Sequence, residues 1–161
     1  MEQFLRGIPA SGGIAIGEAA VFVKPNLYIP KYTIDGGEQS VESEIDKLEN
    51  ALLKTRNELE GLKQDLSKTA LETGYLDSTI LMLEDPTLKK RVADRIKQSY
   101  LNIEWIFNEV VQEMAVRLEQ SENTYFQERA PDVISLGQKV LKNLMGKKEL
   151  ELPESVNTVI V

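Results

Sequence analysis

Between Val41 and Leu66 the residues Val41, Ile45, Leu48, Leu52, Thr55, Leu59, Leu62 and Leu66 follow an alternating spacing of four and three. This is the seam of a long helix, with charged residues on its other faces. Such a helix needs a second helix to cover it, and the stretch from about Leu71 to Glu84 offers Leu71, Tyr75, Leu76, Ile80, Leu81 and Leu83. Gly74 is a candidate kink in that second helix. Asp85-Pro86 predicts the start of a third, because an Asp side chain accepts hydrogen bonds from free first-turn amides and Pro at the first helical position loses no needed donor. That helix is expected to run to about Ser99. A fourth opens at Asn102 or Ile103, with Trp105, Ile106, Val110, Val111, Met114 and Leu118 at helical spacing. A fifth ends near Gly146, with Pro131 either a kink or part of its first turn.

The two ends read differently. Glycines at 7, 12, 13 and 17 punctuate an opening in which Ile14, Ile16 and Ala20 to Val23 have strand character, and Pro25 and Pro30 delay any regular helix. After Pro153 the run Val156 to Val161 again reads as a strand. Strands at both ends with helices between are the pattern of a helical insertion in an α/β domain. The expected fold is therefore mainly α, a bundle of two antiparallel helical hairpins inserted into a truncated α/β domain. Residues 1–34 and 147–161 would form the α/β part, and residues 35–146 the helical part.

Composition narrows the chemistry. A chain of 161 residues with 42% hydrophobic and 28% charged residues can bury a core. The formal net charge of -7 disfavours nucleic acid and anionic lipid as partners and favours a basic protein. No cysteine is present, which excludes disulfides and thiolate metal sites and is compatible with a cytoplasmic location. No histidine is present either, so the commonest general base and the acceptor of a phosphoramidate are missing. The opening lacks the pattern of a signal peptide, and no stretch approaches a membrane span in length. Gly12-Gly13 is not a phosphate loop, since the Gly-Lys-Ser/Thr ending is absent. Pairs such as Glu42 with Glu44 and Glu149 with Glu151 read as solvated charges, and no metal site or catalytic residue is expected.

Four stretches together resemble the N-terminal part of Enzyme I, the phosphoenolpyruvate-protein phosphotransferases of the bacterial sugar phosphotransferase system. They are Gly7 to Gly17 (GIPASGGIAIG), Leu81 to Leu88 (LMLEDPTL), Tyr125 to Gly137 (YFQERAPDVISLG) and the closing VNTVIV. Gly12 stands where the family usually has proline, Thr79 stands at the place of a histidine, and Pro131 where alanine is common. The resemblance implies a fragment of a longer enzyme that passes a phosphoryl group from phosphoenolpyruvate, via a histidine, to the carrier HPr. In that family magnesium sits in a separate C-terminal barrel domain, through which the parent would form a homodimer. The helical domain is the HPr-docking surface, inserted in the α/β domain that carries the histidine. This chain, having no histidine, would be inactive alone and would need no cofactor.

The residues that the resemblance assigns to carrier docking are Leu71, Tyr75, Ser78, Thr79, Met82, Glu84, Asp85 and Arg129. Leu71, Tyr75 and Met82 share one helical face at spacings of four and seven. The same stripe also fits the inside of a helical hairpin. Asp85 has a second role as a helix cap, and Arg129 could equally form a surface ion pair with a nearby Glu. The alternative to docking is a structural hairpin protein that self-associates through its heptad seam. A pyruvate phosphate dikinase relative is disfavoured by the LEDPTL segment.

Overall fold

The computed structural model describes Ile8, residues 12–14, 16–20, 27–65, 70–147 and 158–160. The chain divides into two compact units, one made of Met1–Asn26 with Leu150–Val161 and the other of Leu27–Glu149. In the first, β1 (Glu18–Ala20) pairs in parallel with β2 (Thr158–Ile160), with Glu18 opposite Thr158 and Ala20 opposite Ile160. A parallel pair needs a long crossover between its strands, and here the whole helical unit is that crossover in the sequence.

The helical unit contains α1 (Glu38–Asp65), α2 (Ala70–Leu83), α3 (Pro86–Ser99), α4 (Ile103–Glu119) and α5 (Thr124–Leu144). Its most extensive packing joins α4 to α5; α1 lies against α5 and α2, and α3 against α4. The mainly helical bundle expected from periodicity is therefore present. Helix α2 runs unbroken through Gly74. Helix α5 begins at Thr124, so Pro131 is inside the helix and not in its first turn. Asn123 explains the earlier start, since its side chain accepts a hydrogen bond from the Tyr125 amide at 3.0 Å.

The seam of α1 buries Val41, Leu48, Leu52, Thr55 and Leu59, whereas Leu62 is exposed. Ala51 is buried too, so the apolar face is wider than a two-helix seam and serves both α2 and α5. Thr55 is fully buried and satisfied: its hydroxyl donates to the Ala51 carbonyl at 2.8 Å and accepts from Asn143 Nδ2 at 2.9 Å. The rest of the core is formed by Leu76 and Leu83 of α2, Leu88, Val92 and Ile96 of α3, Ile103, Ile106, Phe107, Val110 and Val111 of α4, and Val133, Val140 and Leu141 of α5.

One expectation is overturned at the start of α4. Glu44 is not a solvated charge; it is buried, and its carboxylate accepts from the Ile103 amide at 2.8 Å and pairs with Lys47. A carboxylate from α1 thus caps α4, where a negative charge meets the unpaired amides of a helix N-terminus. Asn102, the residue in the cap position, is turned elsewhere. It accepts from the Tyr32 amide at 3.1 Å and donates to the Pro30 carbonyl at 3.1 Å and to Glu104 at 2.7 Å. This ties the segment preceding α1 to the α3–α4 turn. Tyr100 closes α3 in the left-handed region at φ 51°, with its amide donating to the Ile96 carbonyl.

Candidate docking groove

The site is built where α2 gives way to α3. Helix α2 ends at Leu83, and Asp85 begins α3 by accepting the Thr87 amide at 2.8 Å, with Pro86 at the first helical position. The two-residue connection turns the chain from its packing on α1 to packing on α4. The residues around this turn therefore face α4 and α5 across a gap.

That gap is an apolar groove of about 370 Å³. Its floor is the buried core surface of Leu83, Leu88, Phe107, Val111, Val133 and Val140. Its rim is supplied by Ser78 and Met82 of α2, Asp85, Met114 and Leu118 of α4, and Tyr125, Phe126, Arg129 and Leu136 of α5. Tyr125 and Phe126 stand at the mouth, 56% and 45% exposed, with ring centroids 5.8 Å apart in an edge-to-face arrangement. The two exposed aromatic rings extend the apolar surface of the groove out to its mouth.

Arg129 is held over this mouth. Its guanidinium lies 5.2 Å from the Tyr125 ring centroid, donates to the Tyr125 hydroxyl at 3.3 Å and pairs with Asp132 at 3.1 Å. The Tyr125 hydrogen bond, followed by that to Asp132, raises its already high pKa, so it remains a cation. Its ion-pair partner is Asp132, not a Glu. The stacked arrangement leaves a positive charge at the groove edge in a fixed orientation.

Of the residues singled out in the sequence, the fold brings Ser78, Met82, Asp85 and Arg129 around one groove. Thr79 is buried at 8% exposure, on the side of α2 that also buries Leu76 and Leu83. Glu84 faces α1, where it pairs with Arg56 at 2.9 Å. The side chains of Leu71 and Tyr75 lie outside the described residues. Sequence reasoning missed Met114, Leu118, Tyr125, Phe126 and Leu136 as lining residues. The signal for the two aromatics was present, because adjacent rings just after an Asn cap cannot both face the core of one helix.

With the groove in view, comparison with known proteins is informative. A family model for the N-terminal region of PEP-utilising enzymes matches residues 6–129. The chain belongs to that family. It is similar to the phosphoenolpyruvate-protein phosphotransferase of Listeria monocytogenes, at 34% identity over 91% of this chain and 25% of that protein. It is also similar to the Staphylococcus aureus protein of the same name, at 30% identity over 100% of this chain and 28% of the relative. The chain thus spans about a quarter of the length of these curated relatives. Among solved structures, a solution structure of Enzyme I superposes with a TM-score of 0.80 at 29% identity, covering 94% of this chain and 61% of the other. The N-terminal domain of the nitrogen-type Enzyme 1 shares the fold, with a TM-score of 0.73 at 20% identity over 94% of this chain and 71% of that one. The fold is that of the Enzyme I N-terminal domain.

Proposed function

We propose that the helical unit is the docking module of a phosphoenolpyruvate-protein phosphotransferase, and that its groove receives the phosphocarrier HPr. The apolar groove rimmed by Met82, Asp85, Phe126 and Arg129 is the observation that carries this reading. An apolar anchor of the carrier would enter between Met82 and Phe126, while Asp85 and Arg129 fix its orientation through charge. Family membership and the likeness to Enzyme I support the choice of partner. The heptad seam, in contrast, is occupied by α2 and α5 of the same chain, which disfavours self-association through it.

Docking is the contribution of this chain to the reaction. No histidine is available here to accept phosphate, so transfer would take place on residues of a longer enzyme. Holding the carrier against a fixed surface makes the exchange between two histidines effectively unimolecular, an advantage that can reach about 7–11 kcal/mol of barrier. The parallel pairing of β1 with β2 supports an α/β domain interrupted by the helical unit. Magnesium and dimerisation would belong to the longer enzyme. Among the described residues no group of three or more Asp and Glu side chains is placed to hold a cation. A cytoplasmic location is part of the same reading; among the described residues no helix is long and apolar enough to cross a membrane.

Calorimetric titration of HPr into the 161-residue chain tests this reading. Saturable binding is expected, weakened about tenfold by Met82→Ala or Phe126→Ala, which corresponds to about 1.4 kcal/mol. A folded chain that gives no saturable heat with HPr would refute it.

A further inference from the structure

Arg129 stands at the mouth of the groove, and the residues that hold it come from its own helix. Tyr125, Arg129 and Asp132 follow at spacings of four and three, which places them within about 60° of arc on one face of α5. Tyr125 and Arg129 line the groove, whereas Asp132 lies outside it, one turn further along the helix. One terminal nitrogen of the guanidinium donates to the Asp132 carboxylate at 3.1 Å and the other to the Tyr125 hydroxyl at 3.3 Å. The two charged side chains are 27% and 26% exposed, so water screens this pair less than one at an open surface. Asp85 lines the same groove and Glu128 precedes Arg129 in the chain, yet among the described residues Arg129 pairs with Asp132 alone.

The order passes on to the aromatic pair. The exposed Tyr125 ring has the guanidinium 5.2 Å from its centroid and meets Phe126 edge to face at 5.8 Å. A ring at the surface has little packing to fix it, so these two contacts set its pose. Asp132, Arg129, Tyr125 and Phe126 thus form a run of contacts that begins outside the groove and ends at its mouth.

We propose that Asp132 is a positioning residue for docking, which fixes Arg129 against Tyr125 and so aims the remaining guanidinium donors before a partner arrives. The Nε–H and the second hydrogens of both terminal nitrogens are left to meet acceptor oxygens on that partner. Asp132 balances the charge of Arg129, so the pair offers directed hydrogen bonds more than net attraction. Ordering a long, rotamer-rich side chain in advance removes a cost that docking would otherwise carry, worth about threefold to tenfold in affinity. This proposal deepens the docking reading above and rests on it for the identity of the partner.

Titration of HPr into the wild-type chain, Asp132→Asn, Arg129→Gln and the double variant forms a cycle that separates positioning from simple charge. Asp132→Asn should weaken binding about threefold to tenfold while Arg129 is present, and have no effect once Arg129 is replaced. Asp132→Glu, which keeps a carboxylate on the same helical face, should recover most of the loss. Equal losses in both backgrounds would mean that Asp132 acts through its own charge, and wild-type affinity in Asp132→Asn that it has no part in docking; either result overturns the proposal and leaves docking intact. A second measurement needs no partner. Nitrogen relaxation of the Arg129 Nε–H in the free chain should report a rigid side chain, loosened in Asp132→Asn to the level of the exposed Arg91 and Arg117. Mobility in the wild type equal to that of those two arginines, or unchanged rigidity in Asp132→Asn, overturns the proposal. Absence of HPr binding by the wild-type chain would instead refute the docking reading, and the relaxation result alone then decides whether Asp132 positions Arg129.

Discussion

Replacing Gly137 with alanine tests how closely α4 and α5 are packed, because helix propensity and tertiary packing predict opposite signs for the change. In an exposed helix interior alanine is better than glycine by about 1 kcal/mol. At Gly137 an added Cβ would lie 2.5 Å from Val111 Cγ1, 3.1 Å from Cγ2 and 3.3 Å from Cβ. The obstacle is a β-branched side chain on a neighbouring helix, stiff about χ1 and 4% exposed, so no single rotation clears it. The helices must move apart, and overpacking of this kind costs about 1–3 kcal/mol. A contact this short belongs in the upper half of that range. Net destabilisation of about 1–2 kcal/mol follows, or a fall in Tm of roughly 3–8 °C for a domain of this size. Urea denaturation of Gly137→Ala, Val111→Ala and the double variant completes the cycle. Val111→Ala alone is destabilising through lost burial, but the double variant should be more stable than the sum of the singles predicts by at least about 0.5 kcal/mol. A Gly137→Ala protein as stable as the wild type or more so, or simple additivity, would refute the steric account.

Asn102→Ala removes the buried side chain that accepts from the Tyr32 amide and donates to the Pro30 carbonyl, leaving two part-buried backbone groups without that partner. A loss of about 1–2 kcal/mol is expected in urea melts, with faster hydrogen exchange at the Tyr32 amide. Alkali should destabilise the same region. Tyr32 is raised above its ordinary 10.0 by burial and then by Glu104 and Glu44, and Lys47 above its ordinary 10.5 by its hydrogen bond to Glu44. For both groups the folded state holds the proton more tightly, so their contribution is complete below the unfolded values and lost as pH rises through the folded ones. Stability measured by circular dichroism should decline as the pH rises above 10.0, and Glu44→Gln should flatten that decline. Pro131→Ala restores an amide in the interior of α5 at an exposed position, and is expected to raise stability by about 1 kcal/mol; a lower Tm would show that the proline serves the packing.

Much of the architecture was legible along the chain because helices declare themselves locally. The α1 seam, the Asp85-Pro86 start of α3 and the periodic run of α4 all depend on side chains within one or two turns of each other, so their spacing carries the signal. The start of α5 was less legible, since Pro131 is a strong punctuation mark and the weaker Asn123 cap preceded it by eight residues. Of the candidate site, Met82, Asp85, Ser78 and Arg129 were named from a resemblance and converge on one groove. Thr79 and Glu84 flank the same residues in sequence yet point away. A helix turns 100° per residue, so neighbours in a docking list need not be neighbours on a surface.

The sequence alone determined the succession of helices, that no histidine or cysteine chemistry is possible within the chain, and that its overall charge is acidic. Only the tertiary structure decided that Glu44 is buried as the cap of a helix 59 residues away, that Gly137 admits Val111, and that α4 and α5 leave an apolar gap beside Asp85. Local propensity is set by backbone and near neighbours. Burial, charge pairing and cavities depend on which faces meet after the chain has folded, and a linear pattern specifies each face without naming its partner.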